Sequence, residues 1–201
     1  MRSLQFSLRA GPNRRSAIRA RFVRSVFASL SGWRVYLGFG VAFRDAVVEI
    51  FAMRPPHSYR LDPAVPHFAD DKPIIVFDGL CALCSGSAAF VLRHDAPGAF
   101  RLLAAQSPLG AALYRHYGLD PSDYESMILI ADGVAWFKSE AAIRIARGLG
   151  LPWSLAVLFR VVPRAWRDVL YAFVARHRIR WFGARTVCYR PDAKFAGRFL
   201  A

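Results

Sequence analysis

From about residue 72 onward the chain alternates short apolar runs with amphipathic stretches, and their periods order the elements. Pro73-Ile74-Ile75-Val76-Phe77-Asp78 is apolar, β-branched and ended by Gly79, which predicts a strand buried on both faces. Residues 84–94 carry Cys84, Ala88, Ala89, Val91 and Leu92 at helical spacing, predicting a helix that opens at Cys81 and ends at Ala96-Pro97-Gly98. Residues 100–104 read as a second strand. Ser107-Pro108 starts a further helix, with Ser107 as cap and Pro108 at the first helical position, running through Leu109, Leu113 and Tyr117. Asp132-Gly133 between the apolar runs 126–131 and 134–137 predicts a β-hairpin with a type I′ turn, whose central residues both need positive φ. Ser139 is expected to cap a helix through Ala141, Ala142, Ile145 and Ala146 that stops at Gly148-Leu149-Gly150. Right-handed crossovers through strand, helix, strand, helix, strand, strand, helix make the first two strands parallel and put the hairpin on the other side of the sheet.

The flanks read differently. Residues 153–181 look helical, with Leu155, Leu158, Phe159 and Val162 as one apolar stripe, Trp166, Leu170, Phe173 and Val174 as another, and Pro163 as the break. Most of these aromatics are expected in the core. Pro55, Pro56, Pro63, Pro66 and Pro73 mark residues 53–72 as an extended linker. Ile18, Phe22, Val26 and Leu30 recur every four residues with Arg19, Arg21 and Arg24 elsewhere on the wheel, the pattern of a basic amphipathic helix within an N-terminal extension 1–52. The expected domain is therefore 73–190, including a helical extension at 151–183, with a tail at 191–201.

A length of 201 residues with 55% hydrophobic content excludes a disordered chain and leaves room for a core that needs no disulfide staples. The net charge of +14 is uneven: residues 1–34 sum to +8, 35–72 to −1, 73–143 to −3 and 144–201 to +10. No stretch reaches the 18 or so apolar residues of a spanning helix, by the roughly 30 Å rule of bilayer thickness. The expected location is cytoplasmic. For the basic N-terminal helix, packing on the rest of the protein, contact with anionic membrane through residues 16–31, and an Arg-rich organellar transit peptide all stand as readings. Met53 is an alternative start.

Three cysteines are too few for a secreted disulfide scaffold, but two are spaced Cys81-x-x-Cys84 after a strand and at a helix start. That placement lets the sulfurs meet across one turn, with Cys81 facing outward and receiving the free N–H groups and positive helix end that lower a thiol pKa. Cys81 is thus the expected nucleophile and Cys84 the resolving thiol of a dithiol that needs no cofactor and no metal. Asp78 has two readings, proton transfer at Cys84 or capping of the turn. Ala82-Leu83 between the cysteines supplies no cation, which favours a reducing potential. The substrate would be a protein or small-molecule disulfide or dithiol.

Two rivals use other residues. Cys81, Cys84, Cys188 and one of His94, His116 or His177 would make a Cys3His zinc site, although a second Cys-x-x-Cys is absent. The run Arg176-His177-Arg178-Ile179-Arg180-Trp181 offers cations and aromatics to nucleic acid, but a solvated helix face accounts for it better.

Asp78-Gly79-Leu80-Cys81-Ala82-Leu83-Cys84 resembles the signature of the DCC-type thiol-disulfide oxidoreductases, a family named for its Asp, Cys, Cys pattern. Residues 171–183, Tyr-Ala-Phe-Val-Ala-Arg-His-Arg-Ile-Arg-Trp-Phe-Gly, followed by Cys188, are similar to the family's C-terminal block. The resemblance covers residues 73–188. It implies a thioredoxin-like α/β fold, here a βαβαββα core with a helical C-terminal extension, and protein-disulfide reductase activity carried by Cys81 and Cys84.

Overall fold

Ile74–Phe77, strand β1, buries all four of its side chains because it lies inside a sheet covered on both faces. The computed structural model of the chain describes residues 54–200. Helix α1 (Ala82–His94) follows, then β2 (Arg101–Ala104), α2 (Pro108–His116), the hairpin strands β3 (Ile128–Ala131) and β4 (Val134–Phe137), and α3 (Lys138–Gly148). The four-stranded sheet has the order β2-β1-β3-β4. β1 runs parallel to β2, pairing Ile75 with Leu102, and antiparallel to β3, pairing Ile75 with Leu129. The βαβαββα order and the placement of the hairpin across β1 from β2 are those expected of a thioredoxin-like fold.

Alternation along β1 explains the double cover. Ile74 and Val76 pack with Leu113 and Tyr114 of α2, whereas Ile75 and Phe77 face α1 and α3 through Val91, Ile145, Ala88 and Leu92. Local chemistry sets the joints: Ser107 Oγ accepts the Gly110 N–H at 3.0 Å to cap α2, and Asp132 and Gly133 take φ of 52° and 75°, as a type I′ turn requires.

Four expectations are corrected. The expected linker is not simply extended over the described residues 54–72: a 3-10 turn at Ser58–Leu61 places Tyr59 in the core, and its hydroxyl donates to Asp70 at 2.6 Å. Val65 is buried in the same cluster. The tail is also packed, since Leu200 N–H donates to Leu102 O at 2.9 Å along the open edge of β2. Ser139 does not cap α3; its hydroxyl and N–H both donate to Asp168, so the cap comes from another helix.

The fourth concerns the C-terminal helices. A 3-10 stretch at Trp153–Val161 leads through Pro163 into α4 (Arg164–Phe182). Their apolar stripes are not core: Leu158 and Phe159 are each 65% exposed and Trp166 is 73% exposed. What α4 buries instead is charge, Asp168 and Arg178. No helix among the described residues is long and apolar enough to cross a membrane. The expected amphipathic helix, with its residues 16–31, lies outside the described residues.

Candidate active site

The Cys-x-x-Cys sits where the chain leaves β1 and enters α1. Cys81 is the N-cap of α1, with extended φ and ψ of −87° and 127°, and its Sγ accepts the Cys84 N–H at 3.3 Å. The helix start therefore supplies a partner for negative charge on that sulfur. One ligand atom from each of Asp78, Cys81 and Cys84 lies within 4.8 Å of the others, so the three expected residues are brought together.

Their exposure is the reverse of the sequence expectation. Cys81 does not face outward; it is 0% exposed, while Cys84 is part-buried. The cover over Cys81 is backbone from beyond α4. Ala82 N–H donates to Gly183 O at 3.2 Å, Arg185 N–H to Leu80 O at 2.7 Å, and Tyr189 N–H to Gly79 O at 3.0 Å. A bridge between Cys81 and Ala184 completes the strap formed by residues 183–189.

Asp78 is buried and accepts three hydrogen bonds. Oδ1 takes the Leu80 N–H at 3.0 Å and the Gln106 Nε2 at 2.7 Å, and Oδ2 takes Arg178 at 3.2 Å. The turn-capping reading is thus present in the Leu80 contact, although Cys81, not Asp78, caps the helix. Gln106 also accepts the Gly79 N–H through Oε1 at 3.0 Å, so one amide ties the turn to the carboxylate.

Arg178 and Gln106 are the residues that sequence reasoning missed. Arg178 lies 100 residues from Asp78 in the chain, and it also donates to Tyr124 O at 2.9 Å and to Ala175 O at 3.0 Å. A signal existed: Tyr171, Val174 and Arg178 fall at i, i+3 and i+7, which places a cation on the inward stripe of the helix. Gln106 had no pattern to reveal it. Tyr171 anchors the same face of α4, its hydroxyl accepting the Met127 N–H at 3.0 Å.

The electrostatics follow from this packing. Burial pushes the Cys84 thiol up, and the hydrogen bond and charge of Cys81 add to that, while Arg178 pulls in the opposite direction. For Arg178, burial opposes the charge, but Cys84 and Asp78 raise its pKa above the ordinary arginine value. A fixed guanidinium, matched by one carboxylate, therefore stands beside a dithiol whose second sulfur is held protonated.

The zinc rival is not assembled. His116 Nδ1 meets Asp62 at 2.6 Å, His94 bonds Phe90 O, and His177 stacks on Trp181 with centroids 5.0 Å apart. Cys188 Sγ instead lies 3.9 Å from Gln106 Oε1. The basic run is divided as well, because Arg178 turns inward while Arg176 and Arg180 stay exposed.

Comparison with known proteins bears on the same residues. The family model described as DCC1-like thiol-disulfide oxidoreductase matches residues 75–184, from β1 to the strap over Cys81. The uncharacterised YuxK protein of Bacillus subtilis is 39% identical over 127 residues, 63% of this chain and 93% of its own length. A chloroplastic DCC family protein of Arabidopsis thaliana is 38% identical over 120 residues, 59% of this chain and 70% of its own. No solved structure matches the chain. Because the matched span covers the sheet, the cysteine pair and the helix that delivers Arg178, the chain belongs to the DCC1-like thiol-disulfide oxidoreductase family.

Proposed function

We propose that the protein exchanges two electrons between the Cys81–Cys84 pair and a protein or small-molecule disulfide, in the manner of a protein-disulfide reductase. The observation that carries this reading is the cap: Cys81 Sγ accepts the Cys84 N–H at a helix start, with Asp78 beside both sulfurs. In the reducing direction Cys81 thiolate attacks a substrate sulfur, and one substrate thiolate leaves. Cys84, losing its proton to Asp78, then attacks the Cys81 sulfur of the mixed disulfide. The second substrate thiolate leaves and a Cys81–Cys84 disulfide remains. Attack by Cys81 on a protein substrate requires residues 183–189 to lift, since they cover it in the present arrangement.

Trapping tests the pair. Cys84→Ser is expected to accumulate mixed disulfides through Cys81, and Cys81→Ser is not expected to accumulate them with protein disulfides. Equal inertness of the two variants removes the redox reading. The absence of a cation between the cysteines favours a reducing potential, and Arg178 does not reverse this because Asp78 offsets it 3.2 Å away. Titration against glutathione should place the pair nearer about −270 than about −120 mV, the reducing end of the dithiol range.

The plant relative's chloroplast location supports the transit reading of residues 1–52. Mass spectrometry of the native N-terminus distinguishes a processed chain from an intact one.

A further inference from the structure

A cavity of about 710 Å³ opens beside α1, bounded by β1, α3, α4 and the residues that precede β3. Its volume falls within the roughly 300–1,000 Å³ typical of small-molecule sites. Cys84 forms part of its wall and Cys81 does not. Most of the remaining wall is hydrocarbon, from residues such as Leu83, Met127, Ile145 and Phe182.

The charges on the wall argue against an anionic ligand. Asp78 and Arg178 offset each other, and Glu125 adds an exposed negative charge. One hydrogen-bond donor remains for a ligand, because the Nε of Arg178, unpartnered among the described residues, is itself buried out of reach of the cavity. Tyr171, whose pKa burial pushes up to about 12, keeps its own proton to donate because its oxygen accepts from Met127. The cavity thus suits an uncharged, mainly apolar molecule with one acceptor group, entering against the Cys84 sulfur.

We propose that this cavity binds a small, uncharged, mainly apolar thiol, which reduces the Cys81–Cys84 disulfide by attacking Cys84. This rests on the redox reading above and extends it to the electron donor. The donor thiol loses its proton to Asp78 and bonds to Cys84 Sγ as the Cys81–Cys84 bond breaks. Cys81 leaves as a thiolate, received by the Cys84 N–H and the helix start. A second donor thiol, or the second sulfur of a dithiol, attacks the donor sulfur of the mixed disulfide. The donor departs as a disulfide, and Cys84 takes up the proton which that second thiol releases. Asp78 returns its proton to Cys81 or to solvent. Two electrons pass from donor to protein. Both rules of thiol exchange favour this order, for the sulfur attacked is the accessible one and the sulfur that leaves is the better thiolate.

The test uses the oxidised full-length protein and a matched pair of dithiols, 1,4-butanedithiol and dithiothreitol, which share a four-carbon chain and differ by two hydroxyls. Loss of the Cys81–Cys84 disulfide is followed by alkylation and mass spectrometry. Butanedithiol is expected to react about tenfold faster at equal thiolate concentration, because the wall can pair one acceptor at most and dithiothreitol would bury its second hydroxyl without a partner. Ala142→Phe and Gly86→Leu, both on the cavity wall and both attached at exposed positions, should abolish that preference. Gly86 has open space at its Cβ, so this second variant keeps the fold if the first does not. Equal rates for the two dithiols, or a preference that survives in a folded wall variant, overturn the cavity proposal alone. A protein that forms no Cys81–Cys84 disulfide overturns the redox reading beneath it.

Discussion

Gly79 has no space for a methyl group. A Cβ there would collide with Cys188 Sγ and lie 3.2 Å from Gln106 Oε1, so the glycine lets the strap close over the turn. Gly79→Ala is expected to destabilise the protein by about 1–3 kcal/mol through overpacking. It should also speed alkylation of Cys81, and an unchanged alkylation rate would show that the strap does not depend on this contact. Arg178 acts on the sulfurs rather than on the sheet. Removing its charge in Arg178→Met leaves the Asp78 carboxylate unpaired beside the Cys81 thiolate and so disfavours the reduced state, lowering the potential by roughly 30 mV for each 1.4 kcal/mol of lost stabilisation. Arg178→Lys should recover part of the shift, and an unchanged potential in the methionine variant removes the electrostatic role.

Cys84 gives a pH dependence whose sign follows from its environment. Its folded-state pKa is raised, so the folded protein keeps a proton that the unfolded chain releases above the ordinary thiol value of about 8.5. The stability associated with that proton is fully present below this value and is lost as pH rises above it. Urea titrations of the reduced protein between pH 7 and 10 should show a decline that Cys84→Ser makes shallower. A parallel decline in both proteins would exclude Cys84 as its source.

At the scale of elements, α4 positions the site, and it is held by polar contacts. Asp168 accepts the Ser139 N–H at 3.3 Å and the Ser139 hydroxyl at the start of α3. Glu140 next to it meets Arg144 at 2.8 Å and Arg160 at 2.5 Å. Tyr171 then fixes the middle of α4 to the residues before β3, and Arg178 reaches Asp78 two turns further on. Asp168→Ala leaves the Ser139 donors unpaired and should cost about 1–3 kcal/mol. Because α4 carries Arg178 and leads into the strap, the same variant should increase labelling of both Cys81 and Cys84. Labelling equal to wild type would mean that α4 is positioned by other contacts.

At the scale of the whole chain, the charge lies in the segments that flank, in sequence, the one carrying the chemistry. The segment 73–143, which holds the cysteine pair, sums to −3, whereas 1–34 and 144–201 sum to +8 and +10. Such flanks attract acidic surfaces in a salt-dependent way. Flotation with anionic vesicles at low salt should recover the full chain and lose it when residues 1–52 are removed. Equal recovery of the two would assign any binding to the C-terminal charges.

The elements that one segment could specify were legible in the sequence. A β-branched run has only a buried strand to form, Asp-Gly is among the few pairs that take positive φ twice, and Ser-Pro begins a helix by its own side chain and ring. The cysteine pair was legible for the same reason, since its spacing is local. Contacts between distant segments were not. The strap over Cys81, the Asp168 cap on Ser139, and the meeting of Arg178 with Asp78 each join residues that no local period links. The apolar residues of the C-terminal helices misled for a related reason: periodicity reveals a stripe but not whether anything covers it. Local chain chemistry thus determined the order of elements and the presence of a dithiol at a helix start. The tertiary structure alone decided which sulfur is covered and which lines a cavity, because exposure depends on what the rest of the chain packs against the site.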